Sequence, residues 1–127
     1  MKKYYCSVIA LFLLSMMNAQ IINFPDPNFK TKLLVSSPAL DINDNPLIID
    51  ANNDGEIEVS EVEAVGGLYV SNSNISDLTG ISYFVNLKYL YCENNLLQSL
   101  VIDDTVHLYS LYASHNMLTS FEAHFEE

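Results

Sequence analysis

Between Asp50 and Glu61 the chain places oxygen-bearing residues at the spacing a hard cation requires. The stretch reads Asp50-Ala51-Asn52-Asn53-Asp54-Gly55-Glu56-Ile57-Glu58-Val59-Ser60-Glu61. A twelve-residue calcium loop draws ligands from positions 1, 3, 5, 7, 9 and 12, with glycine at position 6 for the sharp bend. Asp50, Asn52 and Asp54 offer side-chain oxygens at the first three. Glu56 offers its backbone carbonyl, Glu58 a carboxylate acting directly or through water, and Glu61 both carboxylate oxygens. Gly55 stands at the bend, and Ile57 supplies an apolar anchor. A plain turn uses Asp, Asn and Gly too, but it needs neither Ile57 nor an acid at the twelfth place. The expected cofactor is Ca²⁺, held with a dissociation constant on the order of 0.1–1 mM, as in exterior modules.

Other reactive constellations are missing. The sequence has no GxSxG, HExxH, Walker loop or glycine-rich phosphate turn, and its abundant acids, such as Asp103-Asp104, mark no pocket. The expectation is that the protein is not an enzyme. His107, His115 and His124 share no metal spacing and read as exposed loop residues.

The elements that position the loop begin with a leader. Lys2 and Lys3 precede an apolar run from Val8 to Met17, and Asn18-Ala19-Gln20 closes it. The run is too short to span a bilayer, so residues 1–20 read as a cleaved signal peptide. The full chain has 127 residues and a formal net charge of −11. Cleavage removes two lysines and leaves three against 16 acids, or −13. Such a polyanion repels nucleic acid and anionic lipid, which are therefore poor partners; exposed aromatics in the periodic part point instead to a protein or glycan. Cys6 leaves with the leader, so Cys92 stands alone without a disulfide. Secretion or display at the cell surface follows.

Residues 21–64 are expected to form an N-terminal cap around the calcium loop at 50–61. Asp26 and Pro27 suit the start of a helix carrying Phe29, Leu33 and Leu34 on one face. Ser36, Ser37 and Pro38 end it, and Leu40 to Pro46 reads as a turn. The segment before Asp50, with Pro46, Ile48 and Ile49, favours an extended approach over a helix.

Residues 65–127 are periodic. Leu87, Leu90, Cys92, Asn95, Leu97 and Leu100 recur 21 residues later as Leu108, Leu111, Ala113, Asn116, Leu118 and Phe121. Twenty-two residues earlier stand Val65, Leu68, Val70, Ser73, Ile75 and Leu78. Cys92 occupies a core slot, which favours burial over reactivity. Asn95 and Asn116 fall where amides can satisfy backbone groups between neighbouring repeats. Between core residues lie Tyr69, Tyr91 and Tyr112, one per repeat, with Tyr89 beside them. Alternation turns these outward, as a ligand-binding face or a set of packed cross-strand pairs.

This periodicity resembles the leucine-rich repeat family, and Asp77 to Asn95 is similar to the repeat of internalin-type bacterial proteins. The loop resembles an EF-hand or dockerin half-site, and the helix-plus-loop opening resembles exported repeat proteins of Bacteroidetes-type bacteria. The resemblance implies an α/β fold: a short solenoid with one parallel strand per repeat, preceded by a helical cap and the calcium loop. It implies a binding or adhesion module that recognises its ligand on the strand face. About two and a half repeats read as the head of a longer or truncated protein. The alternatives are a non-binding structural fragment and an accessory part of a secreted hydrolase. With no helix before the loop and no second loop, the ion is expected to be structural rather than a sensor. Asn74-Ile75-Ser76 and Asp104-Thr105-Val106 match glycosylation signals of low specificity.

Overall fold

Asp26 opens the first element. Its Oδ1 accepts from the amides of Asn28 and Phe29 (2.8 and 3.1 Å), and Pro27 occupies the first turn, so α1 runs Pro27–Leu34. Phe29 and Leu33 are buried beneath it. The computed structural model describes residues 19–35, 38–103 and 106–125. The leader assigned to residues 1–20 therefore lies outside the described residues up to residue 18, as do Ser36, Ser37 and most of the Asp104-Thr105-Val106 signal.

Where the sequence suggests only a turn, β1 (Ala39–Asp41) and β2 (Pro46–Leu47) form a hairpin. The Asp41 carboxylate closes it by accepting from the amides of Asn43 and Asn45 (2.8 and 2.9 Å). The acidic loop ends in a single helical turn, α2 (Val59–Val62), and β3 (Val65–Tyr69) follows. β4 (Tyr89–Tyr91), β5 (Ser99–Val101), β6 (Ser110–Tyr112) and β7 (Ser120–Glu122) complete the order.

The expected solenoid with a helical cap is not what forms. The described chain is a small mixed-sheet domain, with a five-stranded sheet ordered β2-β1-β3-β4-β6 and a separate parallel pair β5-β7. Two physical causes account for the difference. The N-terminal part adds the antiparallel strands β1 and β2 to the same sheet instead of covering its end with helix. Gly66 admits this approach, because a Cβ there would lie 2.7 Å from the Asp41 carbonyl oxygen. The second and third repeats, moreover, each give two strands where one was expected, and Ser99–Val101 pairs with Ser120–Glu122 in a second sheet.

Within the main sheet the 22- and 21-residue spacings set the pairing: Leu68, Leu90 and Leu111 lie in parallel register. Their apolar faces meet in one core with Phe29, Ile49, Ile57, Phe84 and Leu97. Asn95 is buried inside it. Its Oδ1 accepts from the amides of Ser73 and Ile75 (3.0 and 3.1 Å), and its Nδ2 donates to the carbonyls of Val70 and Cys92 (2.9 and 3.0 Å). Asn116 repeats the arrangement, accepting from Leu97 and donating to Cys92 and Ala113. Each amide satisfies backbone groups that the bends between repeats would otherwise strand in the core. Among the described residues, no helix is long and apolar enough to cross a membrane.

Candidate functional site

The acidic loop is built by its own side chains. Buried Ile49 delivers Asp50, only 8% exposed, whose two oxygens accept from the amides of Asp54 and Gly55 (both 3.1 Å). Asn52 Oδ1 also accepts from Asp54, and Asp54 Oδ1 accepts from Glu56 (3.0 and 2.8 Å). Asn53 and Gly55 take positive φ angles of 58° and 82°, which fold the chain back on itself. Glycine adopts such angles without steric cost. The Glu56 carboxylate turns away to Lys30 of α1 (2.7 Å), which leaves its backbone carbonyl as the group it can offer the loop.

Glu61 joins the two ends. One oxygen accepts from the Ala51 amide (2.9 Å) and the other from the Glu58 amide (3.0 Å). Glu58 is itself buried, with Asn52 Nδ2 donating to it at 3.3 Å. The hydrogen bond it shares with the Glu61 carboxyl, then its burial, then the charges of Glu61 and Asp54 push its pKa up to about 7. Asp50, Asn52, Asp54, Glu56, Glu58 and Glu61 thus sit on one loop, and the donor set is oxygen throughout. Among the described residues no group of three or more Asp, Glu, His or Cys side chains is arranged to hold a metal ion. The loop carboxylates are turned to loop amides instead. The chemistry still fits Ca²⁺, which takes carboxylate and carbonyl oxygens and would supply the positive charge these crowded acids lack.

One feature of the loop had no counterpart in the sequence reading. The Ile22 amide donates to the Ile57 carbonyl and the Val59 amide to the Gln20 carbonyl (both 2.9 Å), with an isolated bridge between Ile21 and Glu58. The N-terminal segment therefore pairs along the middle of the loop, where a second loop would lie in a paired arrangement. Only the apolar Ile21-Ile22 doublet hinted at it.

The tyrosines stand on the opposite side of the strands from the core. Tyr69, Tyr91 and Tyr112 are in register across β3, β4 and β6. Their rings stack at 4.6 and 4.5 Å, with interplanar angles of 11° and 4°. Tyr69 and Tyr112 are exposed, and Tyr91 between them is half-buried. Burial first, then its ring neighbours, raise the pKa of Tyr91. Tyr89 does not extend the column. Its partners in register, Gly67 and Ser110, carry no ring, and it meets Tyr109 edge-on at 6.2 Å. Tyr109 was not expected at the site.

His107, His115 and His124 are exposed and lie on separate segments. A hollow of about 320 Å³, lined in part by Asp77, Thr79, Ser82, Ser99 and Asp103, shares no residue with the loop or the tyrosine column. No protein-family model matches the chain, and no curated protein matches it.

Proposed function

We propose that the mature chain is an exported, non-catalytic binding module that recognises a protein or glycan on its tyrosine face. The observation that carries this reading is the row of three stacked tyrosines on the solvent side of the sheet. Exposed aromatic surface of this kind is enriched at recognition sites. The kinship we propose with exported leucine-rich repeat proteins is one of repeat sequence, supported by the 21- and 22-residue spacing and the asparagine pair; it does not extend to their overall architecture. Its charge after leader removal, −13, argues against nucleic acid and membrane surfaces as partners.

The loop at 50–61 is proposed to hold a structural Ca²⁺. The oxygen-only donor set and the crowding of Glu58 against Glu61 and Asp54 support it. A sensor needs helices that reorient, whereas here a two-residue strand precedes the loop and its last residues enter a single helical turn.

The mutual stacking of the rings favours a second reading, in which the column only stabilises the sheet. Aromatic pairs contribute about 0.5–1.5 kcal/mol each. Replacing Tyr91 and Tyr112 together with Ser separates the two. The binding reading expects lost retention of ligand with the cooperative melt preserved; general unfolding of the double variant supports the packing role.

A further inference from the structure

The pairing along the acidic loop sets where the folded domain begins. Ile22 is buried and its amide donates to the Ile57 carbonyl, while the Gln20 carbonyl accepts from the Val59 amide (both 2.9 Å). Ile21 bridges Glu58 between them. Gln20, the last residue assigned to the leader, is thus part of the domain, and the boundary moves back to Ala19. Leader removal calls for a small side chain just before the cut, which Ala19 supplies and Gln20 does not. A cut after Ala19 spares all three contacts, whereas a cut after Gln20 would take away the acceptor that Val59 uses.

Such a cut leaves a glutamine with a free α-amine, and glutamine carries its own electrophile, the side-chain amide carbon Cδ. Attack by the α-nitrogen closes a five-membered lactam, the ring size of proline. An α-amine with a pKa of about 7.7–8.0 is partly unprotonated, and so nucleophilic, at neutral pH. Gln20 is exposed, and neither its backbone nitrogen nor its carboxamide has a hydrogen-bond partner among the described residues. Only its carbonyl is tied down, and ring closure leaves that group unchanged.

We infer that Gln20 is a modification site: as the first residue of the mature chain it cyclises to pyroglutamate. The α-nitrogen bonds to Cδ, the Cδ–Nε2 bond breaks, and the amide nitrogen leaves as ammonia with one proton from the amine. The step consumes no oxidant, reductant or second substrate. The lactam is neutral, so the chain starts without an ammonium at the edge of the acidic loop, and the bond from Val59 is kept. This inference rests on the export proposed above.

The full chain, with its own leader, is expressed in a bacterium, and the exported protein is held at neutral pH until its intact mass is constant. The expected mass is that of residues 20–127 less one ammonia. N-terminal sequencing is expected to yield nothing until pyroglutamyl peptidase has acted on the denatured protein, and then to read Ile21-Ile22-Asn23. Gln20→Ala keeps the backbone carbonyl; it is expected to be cut at the same bond, to lose no ammonia and to show Ala in the first cycle. Loss of ammonia from that variant as well would trace it to another amide and overturn the proposal. A mature chain that keeps an open Gln20, or a cut at any other bond, overturns it while leaving export in place. An uncut chain retained in the cell overturns it together with the export reading.

Discussion

Asp26 holds together parts of the chain that are fifty residues apart, and replacing it tests how the N-terminal part is fastened to the sheet. Its Oδ1 caps α1; its Oδ2 accepts from the Ser76 amide (2.7 Å), the Ser76 hydroxyl (2.9 Å) and the Asp77 amide (3.1 Å). The residue is only 6% exposed. Losing the cap costs about 1 kcal/mol. Leaving amides without a charged acceptor costs about 1–3 kcal/mol, moderated here because Ser76 and Asp77 are exposed to water. Asp26→Ala is therefore expected to lose about 3 kcal/mol by urea denaturation, with a melting temperature lower by roughly 10–15 °C for a domain near 100 residues. Asp26→Asn keeps a capping oxygen but can turn its NH₂ toward the donors of Ser76, and should lose about 2 kcal/mol.

The sign with pH follows from the same contacts. Burial raises the Asp26 pKa, but the bonds from Ser76, Phe29 and Asn28 outweigh it and hold it below 3.8. The carboxylate's contribution is thus fully present above 3.8 and is lost as pH falls through the lower folded value. The gap between wild type and Asp26→Asn should stay constant at neutral pH and narrow only in strong acid. A gap under about 0.5 kcal/mol for Asp26→Ala would place it among ordinary surface substitutions. That result, or a gap to Asp26→Asn unchanged at the lowest pH where the protein stays folded, would refute the clasp.

Three further outcomes follow from single residues. Millimolar Ca²⁺ should raise the melting temperature of the mature protein, by mass action on the folded state; the Asp50→Ala, Glu61→Ala double variant should lose that response, and an unchanged response would exclude the loop. Cys92 is fully buried and its thiol is pushed up to about 12, mainly by burial and then by Glu93. It should resist a disulfide reagent in buffer and react fully in denaturant, and fast labelling of the folded protein would contradict its placement. Gly66→Ala puts a methyl group against the Asp41 carbonyl, so it should cost about 1–3 kcal/mol by denaturant melting, as overpacking does; a neutral effect would show that β1 does not press on β3 there.

How far the sequence could be read depended on whether the determining signal was local or periodic. Leu68, Leu90 and Leu111 repeat a pattern, and pairing at that period brings Tyr69, Tyr91 and Tyr112 into line as well. Asn95 was legible for the same reason. The loop's ligand types were legible because their order is contained in twelve residues. β1 and β2 were not, since strands of three and two residues are too short for alternation to declare itself. The place of β1 beside β3, with β2 beyond it, depends on Gly66 meeting Asp41, a contact between residues 25 apart. β5 does not declare itself because Leu100 reads only as one apolar position of the repeat, while its neighbours Ser99 and Val101 face out and complete a strand. Asp26 could be read as a cap, yet nothing near it announces Ser76. Tyr89 shares the strand with Tyr91 as its spacing suggests, but no ring stacks on it in register, because Gly67 and Ser110, the residues opposite it, carry none.

The loop and the tyrosine face are mechanically one unit. Glu61, which closes the loop, lies within α2; Val62 at its end is buried, and β3 begins three residues later at Val65. The other side of the same junction is pinned by Asn86, whose Nδ2 donates to the Glu63 carbonyl (2.7 Å), and by Lys88, whose amide donates to Gly66 (2.8 Å). β3 itself is held in register by β1 on one side and β4 on the other, which stacks Tyr69 on Tyr91. A side chain slipped by one residue would turn to the opposite face of the sheet. The ion proposed for the loop would brace the entry to the strand from which the tyrosine column starts.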